Sequence, residues 1–286
     1  YDKSKHPTPP VDDFARIVHA NYLAFDGWPP SGIFDSGVDL MTRRARASGE
    51  RLMLNGGGGE IFRNFFYLPG CVHSAREVVH SFYNRYAPSW CTAEFDERRY
   101  TQALQDKLLE AVGVDRSMSR ADVEYAYPVF RCGFWMGRNN AINNRLGWSM
   151  TPFIDRDLVH CAVRLPLSQK NHGRFEAAMI RAVSPQLARY SSDYGHNFSA
   201  PPPVSRVIKD WLTFLRPPAV RRFTYRVRFR QPQPVPKLLG AAYLHTVVDA
   251  SMPHMSRFYR VASVNDPSAF ARIATLEYLF DALGVS

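Results

Sequence analysis

Lysine is scarce in this chain: only six of the 36 basic residues are lysine. The net charge of +10 is therefore mostly an arginine excess, which suits anionic small molecules or nucleic acid. Cysteine is scarce as well. Cys71, Cys91, Cys132 and Cys161 lie far apart and form no Cys-x-x-Cys pair, which argues against both a zinc site and a disulfide framework. A reducing, cytoplasmic setting is the default for such a pattern. The nine histidines contain no His-x-x-x-His pair, so no metal site built from side chains is expected. No apolar run approaches the roughly 18 residues of a membrane span. The longest candidate, Leu238–Val248, contains His245 and Thr246 and reads as a core helix, so no membrane partner is expected. The chain opens on Tyr1 without Met or a signal-peptide pattern, and a fragment or processed chain is expected. There is no internal repeat.

What the chain does have is a stretch at Arg51–Phe66. Leu52, Met53 and Leu54 suit a buried strand; Asn55, then Gly56, Gly57, Gly58 and Gly59 come next, then Glu60. Ile61, Phe62, Phe65 and Phe66 resume at helical spacing. The expectation is a strand, a glycine turn and a helix start. Glycine permits positive φ and close backbone approach, and a helix start offers free N–H groups to an anion. The stretch is thus a candidate phosphate cradle at the carboxyl end of a strand, or a plain strand-to-helix turn.

Helical periodicity recurs along the rest of the chain: Val11–Phe25, Ile33–Ser48, Ser74–Tyr86, Phe95–Val112, Tyr125–Leu146, Leu158–Leu165, Phe175–Leu187, Val204–Leu215 and Pro267–Leu283. The aromatics Tyr127, Phe130, Phe134 and Trp135 are expected in the core. Asp26–Gly32 and Gly195–Pro203 read as loops. Ser36-Gly37-Val38-Asp39 looks like part of a phosphate loop, but no apolar strand precedes it, and it reads as helix surface. Pro217–Pro236 is the most basic segment, with Arg226, Arg228 and Arg230 alternating with apolar residues. Its readings are a nucleic-acid or partner-binding arm at Arg216–Arg230, or a solvated connection; no nucleic-acid module surrounds it, and a nucleic-acid partner is not expected.

Two stretches together carry a family resemblance. The first is the glycine run with Glu60. The second is Thr151-Pro152-Phe153-Ile154-Asp155, followed by a helix and then Leu165-Pro166 and Lys170. Their order and spacing resemble the asparagine synthase family, with its Ser-Gly-x-Gly-Gly-Asp-Glu-Leu-Phe and Pro-Phe-Leu-Asp signatures. Asp26 falls where that family has an acid in the loop before the intervening helix. Ser191–Phe198 falls where it has a Lys-x-x-Phe loop.

The resemblance implies one N-terminally truncated domain over residues 1–286. It would be α/β, with a partial adenine-nucleotide-hydrolase-like (Rossmann-like) sheet over about residues 11–68 and a mainly helical body beyond. It implies an ATP-dependent amide-forming ligase that adenylates a carboxylate, not necessarily aspartate, and then admits ammonia or an amine. ATP and Mg²⁺ are the implied cofactors, and an upstream segment or amidotransferase domain the implied partner. Asp26, Asn55, Gly56, Gly57, Gly58, Gly59 and Asp155 would line the nucleotide pocket, with Asp155 capping the helix after it. Glu60, Tyr194 and His196 would be the catalytic candidates. The sequence also departs from the pattern. The Ser-Gly-Gly-x-Asp-Ser loop would precede Tyr1. Asn55 replaces Ser, one residue of the glycine motif is deleted, and Glu60 alone remains of the Asp-Glu pair. Trp148 and Met150 replace a Glu-x-Arg pair, and Tyr194-Gly195-His196 replaces the family lysine. A catalytically degenerate relative that binds a nucleotide or a protein is the alternative.

Overall fold

A computed structural model describes residues 6–27, 32–49, 51–83, 86–192, 194–228 and 234–284. The first five residues, the Trp28–Ser31 part of the expected loop, and Arg230 of the basic segment lie outside the described residues. The fold is α-rich, 62% helical, with two two-stranded sheets. The elements are α1 Val11–Ala24, α2 Val38–Ala47, β1 Met53–Leu54, β2 His73–Ser74, α3 Ala75–Phe82, α4 Glu97–Val112, β3 Ser117–Met118, α5 Arg120–Ala126, α6 Met136–Leu146 and β4 Ser149–Met150. Beyond β4 come α7 Arg156–Arg164, α8 Leu167–Lys170, α9 Arg174–Val183, α10 Val204–Leu215, α11 Pro218–Arg228, α12 Ala241–Leu244, α13 Pro253–Ser256 and α14 Pro267–Leu283.

Local chemistry sets many of the helix starts. Ser74 and Glu77 form a capping box on α3, and Ser119 and Asp122 form one on α5. Asp266 caps α14 in front of Pro267, whose missing N–H costs nothing at a first turn. The expected helix over Tyr125–Leu146 is interrupted. Pro128 removes a donor inside it, and residues Tyr127–Cys132 take a π-helical turn between α5 and α6. Tyr127 and Phe130 are buried as expected, but Phe134 is 65% exposed. Helix α2 also starts later than expected. Gly37 stands in the left-handed region just before it, and its N–H donates to Asp35 Oδ1 at 2.7 Å. Leu238–Val248 is not one helix but a 3-10 turn at Lys237–Leu239 followed by the four-residue α12.

Strands β1 and β4 run parallel in the register Met53↔Ser149 and Leu54↔Met150. Strands β2 and β3 pair antiparallel. A wider Rossmann-like sheet is not present among the described residues. Two main cores form. One packs Ile61, Phe62, Phe66 and Leu68 against α3, α4, α5 and α7. The other packs Phe14 and Val18 of α1 with Trp90, Tyr243, Met255 and Ile273 of α14, so the first and last helices share one core. Among the described residues no helix is long and apolar enough to cross a membrane.

Candidate functional site

The backbone carries the chain from β1 directly into the glycine run. Met53 and Asn55 donate to the carbonyls of Trp148 and Met150, both at 2.8 Å, so the run leaves the carboxyl end of a parallel strand pair. Asn55 Oδ1 accepts the Gly57 N–H at 2.8 Å, an Asx turn that fixes the entry to the run. Gly58 sits at φ +87°. Beyond it the chain forms a 3-10 turn of four residues, Gly59–Phe62, and not an α-helix. This corrects the expected helix start. Three N–H groups bond within the stretch: Gly57 to Asn55, Gly59 to the Gly56 carbonyl at 3.3 Å, and Ile61 to the Gly58 carbonyl at 3.0 Å.

Three of the four glycines are backed by side chains. A Cβ on Gly57 would meet Met136, one on Gly58 would meet Ile154, and one on Gly59 would touch the Phe153 ring. The two stretches that carry the resemblance are therefore in contact. Only at Gly56 is the Cβ direction open, and Gly56 borders a cleft of about 680 Å³. Arg43, Arg46 and Arg51 line that cleft together with Asn139 and Asn143. Arg43 is held by Asp39 at 2.9 Å and donates to Asn139 and Asn143 at 2.8 and 2.6 Å.

Glu60 points away from this cleft into a second, charged cluster. Its Oε2 accepts the Tyr127 hydroxyl at 2.6 Å, and burial first, then this bond, keeps that phenol from ionising. Its Oε1 lies 3.7 Å from Arg63, which also pairs with Glu176 at 3.1 Å. Burial raises the Glu176 carboxyl above its ordinary range, and the Arg63 cation opposes that rise. The guanidinium carbons of Arg63 and Arg206 lie over the Tyr194 ring, 5.2 and 4.9 Å from its centroid. Burial, then the Glu176 charge, pushes the Tyr194 phenol up to about 12, so it stays a hydrogen-bond donor at neutral pH. The His196 ring packs on Tyr194 and Phe198. Arg206 and His172 both pair with the buried Asp210, at 3.2 and 3.0 Å. Arg63, His172, Glu176, Tyr194, His196, Arg206 and Asp210 enclose only about 20 Å³, roughly the room of one water, while Glu60 and Arg63 border a neighbouring cleft of about 350 Å³ with Arg216 and Arg221.

By sequence alone Lys170 falls outside the loop that matches the family lysine, yet in the fold it lines the same cavity as Tyr194 and His196. Its ammonium is 1% exposed and bonds Glu124 Oε2 at 2.5 Å, while Glu124 also pairs with Arg120. Burial, then the Arg120 charge, pulls the Lys170 ammonium below its ordinary range. The fold supplies a buried lysine beside Tyr194 from a segment 24 residues earlier in the chain. Compared with known proteins, this chain matches no family model, no curated protein and no solved structure.

The other candidates sit apart from the cluster. Asp155 caps α7, accepting the N–H groups of Asp157 and Leu158 at 2.9 and 3.2 Å. Asp26 is exposed at the end of α1, 3.9 Å from Arg145, and is not among the residues lining the Gly56 cleft. For the implied Mg²⁺, the residues present do not fit. Glu60 is the one carboxylate at the glycine run, engaged by Tyr127 and Arg63, and Asp39 in the cleft is paired with Arg43. For the implied ATP, the three arginines of the cleft fit its phosphate charge, whereas the helix start expected behind the glycines is a 3-10 turn and two of the four glycine N–H groups bond within the stretch. A His254, Glu277 and Asp281 cluster lies elsewhere, between α13 and α14. Both oxygens of the buried Glu277 accept backbone N–H groups of His254 and Met255, which makes it a brace for α13.

Proposed function

We propose that this chain acts as an asparagine-synthase-like, ATP-dependent amide-forming ligase domain. A carboxylate oxygen would attack the α-phosphorus of ATP, releasing pyrophosphate. Ammonia or an amine would then attack the acyl carbon, releasing AMP. The observation that carries this reading is the parallel β1–β4 pair. It sets the glycine run against Phe153 and Ile154, and an arginine-lined cleft runs along β1 from Arg51 to Gly56 at its carboxyl end. Open α/β layers bind ligands at that end of their strands. In this reading Arg46 and Arg51 bind phosphate oxygens, and the Tyr194 hydroxyl is the donor to the developing anion, while Lys170 stays committed to Glu124. The residues here provide no Mg²⁺ donor set, and no step is assigned to the ion.

One set of observations favours a second reading, a relative that binds a nucleotide or a protein without turnover. The Gly57 and Gly59 N–H groups are used within the stretch, and Glu60 is engaged by Tyr127 and Arg63. One experiment separates the two. The protein, together with any sequence that precedes Tyr1, is assayed for carboxylate-dependent release of pyrophosphate from ATP, and for a thermal shift with ATP. Stabilisation grows as RT ln(1 + [L]/Kd). Release with a shift supports the ligase; a shift without release leaves the binding module; the absence of both release and shift rules out nucleotide chemistry.

A further inference from the structure

Helices α10 and α11 are inside out for surface helices. The exposed side of α10 carries Val204, Ile208, Trp211, Leu212 and Leu215. At helical geometry these five positions fall in one stripe about 100° wide. The protein-facing side instead holds Asp210, buried at 4% exposure and paired with Arg206 and His172. Helix α11 repeats the inversion. Arg221 is buried and donates to the carbonyls of Phe66, Tyr67, Thr213 and Arg216. Val220, Phe223 and Val227 stand exposed, at i, i+3 and i+7.

The charge in the sequence of these two helices is almost all of one sign. From Val204 to Arg228 the sequence holds seven basic residues and a single acid, Asp210, which is turned inward. Lys209 and Arg216 stand exposed beside the α10 stripe. Phosphate and sugar contacts, which make up half or more of protein–DNA hydrogen bonds, come from polar side chains, so a broad stripe of exposed Val, Ile and Leu tells against the arm reading of this segment. An amphipathic helix with Trp and Leu on one side and cations along its flank suits the headgroup boundary of a bilayer. We propose that the exposed side of α10 and α11 docks on an anionic lipid surface. The apolar stripe would lie at the acyl boundary, with Lys209 and Arg216 on lipid phosphates. Neither helix crosses the bilayer, and the proposal stands apart from the ligase reading.

The test is co-flotation with vesicles of phosphatidylcholine plus phosphatidylglycerol, against phosphatidylcholine alone. The protein is expected to float with the anionic vesicles, and raised salt should cut its partition about tenfold or more. The substitutions Ile208→Ser, Leu212→Ser and Leu215→Ser together should cut it about tenfold or more with an unchanged Tm, since all three side chains are exposed. Lys209→Glu with Arg216→Glu should weaken binding to the anionic vesicles and reduce its salt dependence. Failure to float, equal flotation with neutral vesicles, or undiminished flotation of the serine variant overturns the proposal. So does a dimer in light scattering that the serine variant dissolves, since a second copy would then cover the stripe.

Discussion

The cleft beside Gly56 and the cluster around Tyr194 each take residues from one short stretch, Arg51–Gly56 in the first and Arg63–Asn64 in the second, and they differ in kind. The cleft is roomy, open and arginine-lined, and Arg43 is held in place by Asp39, Asn139 and Asn143. The cluster is tight, and its charges are paired with one another: Arg63 with Glu60 and Glu176, Arg206 with Asp210, Lys170 with Glu124. A roomy cationic cleft can accept an anion at little cost to the fold. A closed set of buried pairs holds the fold and resists change. Binding is therefore expected at the Gly56 end, and rigidity with a few positioned donors at the Tyr194 end.

The largest expected effect tests the closed end. Glu124→Gln leaves Lys170 and Arg120 facing each other without their carboxylate, and should cost about 3–5 kcal/mol. Lys170→Met should cost less, because Arg120 still pairs with Glu124. Urea unfolding midpoints at unchanged m-value measure both. If the two variants are equally mild, the cluster is not a rigid element. Next in size is a contrast inside the glycine run. Gly58→Ala forces a side chain into φ +87° and brings its Cβ to 2.8 Å from Ile154 Cγ2. A loss of about 2–3 kcal/mol is expected. Gly56→Ala meets open space and should change stability by less than about 0.5 kcal/mol. Equal losses would erase the distinction between a packed and an open end. Smaller again is Asp155→Ala, which removes the α7 cap and should cost about 1 kcal/mol by the same measurement.

The pH dependence sharpens the same contrast. Burial raises the Glu176 carboxyl in the folded state. A raised pKa contributes stability that is full below the unfolded carboxyl pKa and is lost as pH rises through the folded one. Glu176→Gln should remove that fall between acid and neutral pH, so the variant gains relative to wild type as pH rises. A constant difference across pH would show that Glu176 is no more protonated folded than unfolded.

Much of the scaffold is legible in the sequence, because α1, α4, α10 and α14 carry apolar residues at helical spacing and α7 has its cap at Asp155. The segment around Arg226 is where the pattern misleads. Alternating Arg and apolar residues read as a binding arm or a solvated connection, but Val220, Phe223 and Val227 also fit a helix, and packing of Arg221 against backbone carbonyls fixes α11. The backing of the glycines is hidden from the sequence because it depends on Met136, Phe153 and Ile154, between 79 and 96 residues away at the contacts with Gly57–Gly59. Lys170 is hidden for the same reason: only the tertiary fold brings it to the Tyr194 loop. A turn at His172 and Gly173, both at positive φ, reverses the chain just after it, and Gly173 is the one local signal of that turn.

The smallest effect on stability is the most informative for function. Tyr194→Phe keeps the ring on which Arg63 and Arg206 lie and removes only the hydroxyl. Stability should therefore change by less than about 0.5 kcal/mol. If the hydroxyl donates to a developing anion, carboxylate-dependent pyrophosphate release should fall on the order of 100-fold, as for loss of one preorganised donor. Because the phenol is held un-ionised up to about 12, no pH within the working range of the fold can switch this donor off, and the loss in the variant should be independent of pH. Wild-type turnover in the Phe variant would return Tyr194 to a packing role. The ring, with its two arginines, would then belong wholly to the rigid end of the comparison, and any chemistry would have to reside at the Gly56 cleft.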